Sequence, residues 1–131
     1  MTAPISITTE TELWLTCKAR QAAPFEACGF ILENDEVVEI HNVSMTPKRS
    51  FRMDREQMIE KLSGRAEFIT GIWHTHPSGT TTPSHTDLDG IKCGAIQRNW
   101  RYFIVTPSGV HEYPTGLYAP QDEGFWGSFA M

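Results

Sequence analysis

An α/β fold is predicted for this chain from three observations. Helix-periodic apolar segments near residues 9–23, 54–64 and 84–97 alternate with short β-prone runs. Those runs include two hairpin patterns, at 29–40 and 102–113, and between them lies one continuous apolar strand at 68–73. At 131 residues, with 40% hydrophobic and 21% charged side chains, the chain has the size and composition of one soluble domain spanning 1–131.

Thr9 is followed three residues later by Glu12, a capping-box pattern. Leu13, Cys17 and Arg20, with neighbouring alanines, continue it as a helix that ends before Pro24. Gly29-Phe30-Ile31-Leu32 and Val37-Val38-Glu39-Ile40 face each other across a polar Glu33-Asn34-Asp35-Glu36 turn, as a hairpin does. A loop carrying Pro47, Lys48 and Arg49 leads to Asp54, which caps a short helix with Met58, Ile59 and Leu62 on one face and Gly64 as its stop. The run from Phe68 to Trp73 is short and apolar throughout, as in a strand buried on both faces.

The stretch from His74 to Thr86 is rich in Thr, Ser, Pro and Gly and reads as a loop. Leu88, Ile91, Ala95 and Ile96 then recur at helical spacing, from about Ser84 to Gln97. Tyr102 to Val105 and Val110 to Tyr113 flank Thr106-Pro107-Ser108-Gly109, a second hairpin. Residues 114–131 form an irregular tail whose Phe125, Trp126 and Phe129 are apolar enough to pack on the domain or on a partner, a second copy of the chain included.

Charge and composition narrow the function. Eleven basic against 16 acidic residues give a net charge of −5, the wrong sign for sequence-independent phosphate binding, so nucleic acid is not an expected partner. No apolar run approaches the roughly 18 residues of a membrane span, and Met1 to Thr9 lacks the features of a secretory signal. A cytoplasmic location is the expectation. Cys17, Cys28 and Cys93 are odd in number and form no C-x-x-C pair, which argues against a disulfide framework or a four-cysteine zinc site. They are expected to be small buried apolar residues.

The chemistry concentrates in His74-Thr75-His76-Pro77. In an extended chain, side chains at i and i+2 point to the same side, so both imidazoles reach one ion. Pro77 favours that conformation, because a residue preceding proline is pushed toward extended backbone. Asp87, in the first turn of the following helix, supplies a third ligand if the loop folds that helix start over the strand end. Two imidazoles and a carboxylate around zinc leave a fourth position open, a catalytic ligand count. Zinc acidifies water to a pKa of about 7, but a general base is still needed to move protons. Glu26 fits that role, standing at the edge of the apolar run that starts at Cys28. Ser84 is placed to donate its hydroxyl to the oxygen that turns negative in a tetrahedral intermediate.

Glu26-Ala27-Cys28-Gly29-Phe30, His74-Thr75-His76-Pro77 and Ser84-His85-Thr86-Asp87 together resemble the JAMM, or MPN-plus, metallopeptidase motif: an upstream Glu, H-x-H-P, a spacer of about seven residues and S-x-x-D. Residues 77 to 83 supply that spacer, and the resemblance covers roughly residues 24–113. It implies a cytidine-deaminase-like α-β-α sandwich with a curved mixed central sheet. It also implies that His74, His76 and Asp87 bind zinc, that Glu26 is the general acid/base and that Ser84 stabilises the oxyanion. Members hydrolyse isopeptide or peptide bonds after ubiquitin-like tails. Prokaryotic and phage relatives act on sulfur-carrier proteins or are associated with tail assembly, so a virion-associated location is the alternative to the cytoplasm.

Each element has a plainer reading on its own. H-x-H at a strand end is common surface chemistry, and Ser84 with Asp87 is also a helix capping box. His85, His111 and Asp89 read as solvated side chains, and Trp73 and Trp100 as core or pocket wall. Lys48, Arg49, Arg52 and Arg55 form a basic cluster that is either solvated or meets an acidic partner or a substrate carboxylate. Two rival functions stand beside the peptidase: a non-catalytic MPN-like assembly module, disfavoured because every motif position is filled, and a zinc deaminase, disfavoured because H-x-E and P-C-x-x-C are absent.

Overall fold

The apolar run that follows Glu26 becomes a central strand, β1 (Cys28–Leu32), with all five residues buried. Gly29 permits the sheet to close there, because a Cβ at that position would collide with the Val38 carbonyl oxygen and lie 2.9 Å from the Trp73 indole. A polar turn, with Asn34 and Asp35 in the left-handed region at φ 64° and 59°, returns the chain into β2 (Val37–Ile40). β3 (Ile69–Thr75), β4 (Arg101–Thr106) and β5 (Gly109–Tyr113) complete a mixed sheet of order β2-β1-β3-β4-β5. The β1/β2, β1/β3 and β4/β5 pairs are antiparallel, and β3/β4 is parallel. The computed structural model describes residues 7–84, 87 and 100–113.

Successive strand side chains alternate between the two faces, and among the described residues each face meets one helix. On one face α1 (Thr9–Ala22) packs Leu15 and Ala19 against Ile31, Trp73, Phe103 and Val105. On the other, Leu62 of α2 (Arg55–Leu62) joins Phe30, Ile72, Tyr102 and Ile104. Full burial of a Leu or Ile side chain contributes about 1.5–3 kcal/mol, so these two layers hold the strand ends in fixed relation. The arrangement is the helix–sheet–helix sandwich expected from the sequence. No helix among the described residues is long and apolar enough to cross a membrane.

Both hairpins and α2 fall where the sequence places them. Asp54 caps α2 by accepting from the Glu56 N–H at 3.2 Å, and Gly64 takes φ 74° beyond its end. The faces of the helices differ from the expectation. α1 is capped by Thr8, whose Oγ1 accepts from the Thr11 N–H at 3.1 Å, and it buries Thr11, Leu15 and Ala19. Leu13 and Cys17 are exposed, so Cys17 is not a core residue, whereas Cys28 is. Ile59 is likewise exposed, because a helix of two turns against β2 turns only Met58 and Leu62 inward. Phe68 belongs to a 3-10 turn before β3 and is exposed. The expected helix at 84–97 apart from Ser84 and Asp87, Cys93 and the tail at 114–131 lie outside the described residues.

Candidate metal centre

The site is built where β1 and β3 run out together. The antiparallel register sets Cys28 opposite His74, and pairing continues beyond the strands. The Thr75 N–H donates to the Ala27 carbonyl at 2.9 Å, and the Ala27 N–H donates to Thr75 Oγ1 at 2.9 Å. From the other side, the His76 N–H donates to the Val105 carbonyl at 2.8 Å. His76 is thus held in extended backbone beyond the strand, on the same face as His74. Glu26 is fixed at the facing end: its N–H donates to the Pro47 carbonyl at 2.7 Å, and its carbonyl accepts from the Asn42 amide at 2.9 Å.

Each imidazole has an oxygen beside Nδ1; at Nε2, His76 bonds Asp87, whereas His74 bonds the Tyr102 hydroxyl with Asp87 farther out. His76 Nδ1–H donates to the Thr80 carbonyl at 2.8 Å, and His74 Nδ1 lies 3.3 Å from Glu26 Oε1. Asp87 Oδ2 stands 3.1 Å from His76 Nε2 and 3.5 Å from His74 Nε2. An outer partner on Nδ1 that orients Nε2 inward is the usual arrangement around a metal-ligating histidine. Tyr102 Oη reaches His74 Nε2 at 2.7 Å, and Phe51 stacks on that ring with centroids 4.6 Å apart. Ser84 braces the carboxylate: its N–H donates to Asp87 Oδ2 at 2.9 Å and its Oγ accepts from the Asp87 N–H at 3.1 Å.

Burial and pairing act in opposite directions on these groups. His74 is fully buried, and Glu26, His76 and Asp87 are each 6% exposed. Burial alone would push the His76 pKa down, but the hydrogen bonds to Asp87 and Thr80 and the charges of Asp87 and Glu26 hold it above the usual histidine value. Burial would likewise push Asp87 up, but the bond to His76, the His74 charge and the Ser84 N–H hold it below the usual carboxylate range. Tyr102 is pushed upward by burial and by the carboxylates of Asp87 and Glu26, so its hydroxyl stays protonated.

This donor set fits a metal ion. Glu26, His74 and His76 each offer one ligand atom, all within 4.8 Å of one another. Two ligands about 2.0–2.1 Å from zinc in a tetrahedron stand roughly 3.3 Å apart. The separations of Asp87 Oδ2 from the two Nε2 atoms, 3.1 and 3.5 Å, bracket that value. Glu26, His76 and Ser84 also line a cleft of about 310 Å³ that opens to solvent beside Lys48 and Arg49.

All five residues singled out in the sequence, Glu26, His74, His76, Ser84 and Asp87, come together here. His111 is exposed on β5, opposite Ile104. His85 and Asp89 lie outside the described residues. The sequence reading missed Tyr102, Phe51, Asn42 and the Thr80 carbonyl. Tyr102 lies on the same face of β4 as Ile104 and meets His74 only through the parallel β3/β4 register.

Comparison with known proteins agrees with this geometry. Residues 12–116 match the family described as prokaryotic homologs of the JAB domain. The chain is 26% identical over 102 residues to the desampylase of Haloferax volcanii, covering 69% of this chain and 70% of that protein. The solution structure of protein DSY2949 from Desulfitobacterium hafniense superposes with a TM-score of 0.59 at 22% identity, covering 82% of this chain and 88% of that one, a likeness of fold. With most of its length matched and a buried Glu-His-His group at its centre, the chain belongs to the prokaryotic JAB-domain family.

Proposed function

We propose that the protein is a zinc-dependent isopeptidase or peptidase that hydrolyses an amide bond following a ubiquitin-like or sulfur-carrier protein tail. The observation that carries this reading is the placement of Asp87 Oδ2 at 3.1 and 3.5 Å from the Nε2 atoms of His76 and His74, beside the buried Glu26-His74-His76 group. His74, His76 and Asp87 would hold the zinc, which supplies Lewis acidity, lowering the pKa of water to about 7. The similarity to a protein named desampylase supports a protein-tail substrate.

Glu26 is the proton carrier. Its carboxylate, anchored through its own backbone to Pro47 and Asn42, takes a proton from the attacking water. It returns that proton to the amine as the C–N bond breaks and the new C–O bond completes the carboxylate product. Ser84 Oγ accepts from the Asp87 N–H, so its own O–H is free to donate to the carbonyl oxygen as negative charge develops. His74 shares its Nδ1 with Glu26 Oε1, which holds that carboxylate beside the metal ligands.

The test is Glu26→Gln assayed with amide-linked ubiquitin-like tails and short peptides. Turnover falls by about 10²–10⁴ while zinc content is retained. Wild-type turnover in that variant would remove Glu26 from the mechanism, and loss of zinc along with turnover would make it a ligand instead.

A further inference from the structure

The cleft that opens beside Glu26 carries two cations that the mechanism does not use. Lys48 and Arg49 line it together with Glu26, His76 and Ser84, and both are exposed. No carboxylate among the described residues pairs with either of them. Elsewhere Lys18 holds Glu39 at 3.0 Å, Arg65 holds Glu36 at 2.7 Å, and Arg101 holds Glu112.

Their loop is also fixed in place. The Asn42 amide donates to the Glu26 carbonyl at 2.9 Å and to the Ser50 carbonyl at 3.1 Å, while its oxygen accepts from the N–H groups of Ser44 and Arg52, both at 2.9 Å. Within the loop, the Thr46 carbonyl accepts from the Arg49 N–H at 2.9 Å and the Ser50 N–H at 3.0 Å. Pro47, immediately before Lys48, accepts directly from the Glu26 N–H. The two cations are therefore held beside the proposed proton carrier by main-chain geometry. The Lys48 ammonium lies over the Phe25 ring with Nζ 5.9 Å from its centroid, a cation–π contact that favours this position. In a chain of net charge −5, with Glu26 and Asp87 at the site, two cations that pair with no carboxylate among the described residues offset the local negative charge for an incoming anion.

We propose that Lys48 and Arg49 form a cationic subsite that takes a substrate carboxylate close to the scissile amide. This rests on the hydrolase reading and deepens it: the preferred substrate carries either a free terminal carboxylate one or two residues beyond the cleaved bond or an acidic side chain on the tail before it. A lysine-linked folded protein offers no free terminal carboxylate close to its amine, so only the acidic side chain on the tail could serve there.

Binding is measured by fluorescence anisotropy on the zinc-supplemented Glu26→Gln protein, which removes turnover. Three labelled peptides serve as probes: Leu-Ala-Gly-Gly-Ala as the free acid, the same peptide as its carboxamide, and Leu-Glu-Gly-Gly-Ala carboxamide. One of the two carboxylate-bearing probes binds about fivefold more tightly than the neutral carboxamide, the scale of one or two exposed ion pairs. Which of them does so identifies the source of the carboxylate. The preference falls to about one in Lys48→Met/Arg49→Gln and shrinks in 0.5 M salt.

Equal binding of all three probes, or a preference that survives the double substitution, overturns the subsite. Hydrolysis of the acid and carboxamide peptides by the wild type separates the two claims. If both are cleaved but neither carboxylate is preferred in binding, the hydrolase stands and the subsite falls. If neither is cleaved and the preference persists, the subsite stands without the hydrolase.

Discussion

Asp87 Oδ2 lies 3.1 Å from His76 Nε2 across eleven residues of chain, and that contact ties the end of β3 to the segment beyond the Pro-rich loop. Without metal, a proton shared along this contact holds the two side chains together. The bond to Asp87 and the Thr80 carbonyl keep His76 charged above its usual pKa of 6.5 despite burial, while Asp87 stays ionised below its usual 3.8.

Zinc and protons therefore compete at His76. Affinity for zinc should fall as pH drops through the raised His76 pKa, approaching tenfold per pH unit, with Asp87 adding nothing until well into acid. Calorimetric titration between pH 6 and 8 in buffers of different ionisation enthalpy would show about one proton released at the lower end. Affinity that is flat across this range would place the metal away from His76.

The same shifts set the stability of the metal-free protein. The raised His76 pKa contributes stability that is complete below pH 6.5 and disappears as pH rises through the folded value. The lowered Asp87 pKa contributes above 3.8 and is lost as pH falls through its folded value. The melting temperature of chelator-treated protein should thus decline from pH 6.5 to 8.5, and zinc should abolish that decline. A metal-free protein that gains stability over this interval would refute the assigned pairing.

Ser84 has two roles with different readouts. Ser84→Ala should lower kcat by about 10²–10³ through loss of the oxyanion donor. It should also cost about 1 kcal/mol in stability through loss of the bond from the Asp87 N–H. A melting shift accompanied by only a few-fold drop in kcat would leave Ser84 as a cap alone.

The two thiols among the described residues divide sharply. Burial, with the charges of Glu39 and Glu26, pushes Cys28 up to about 12, so it carries almost no thiolate at pH 8. Cys17 is exposed. Peptide mapping after iodoacetamide treatment at pH 8 should find Cys17 alkylated and Cys28 intact in folded protein. Labelling of both at similar rates would mean that the β1 end opens freely.

Gly29→Ala tests the packing that aligns Glu26 with His74. The added methyl meets the Val38 carbonyl and the Trp73 indole. The variant should lose stability at the upper end of the roughly 1–3 kcal/mol typical of overpacking, measured by urea unfolding. Unchanged stability would show that the β1/β2 pair shifts without cost.

Much of this arrangement was legible in the sequence because local chemistry dictates it. Strand alternation sets His74 and His76 on one face, and polar turns mark both hairpins. The phase of α1 was not legible. Its buried stripe is Thr11, Leu15 and Ala19, two of them weakly apolar, while the larger Leu13 points outward and Trp14 stays half-exposed in T-shaped contact with Trp73. Tyr102, Phe51 and Asn42 were missed for another reason: each reaches the site through a long-range relation, the parallel β3/β4 register or a loop folded back on Glu26, that no local spacing encodes.

The most direct test is the metal content of the purified chain, read by elemental analysis for the wild type and Asp87→Ala. One zinc per chain in the wild type, with most of it lost on replacing Asp87, is the predicted result. A wild-type protein that binds no zinc on reconstitution, or an Asp87→Ala variant that retains it fully, would contradict the proposed centre.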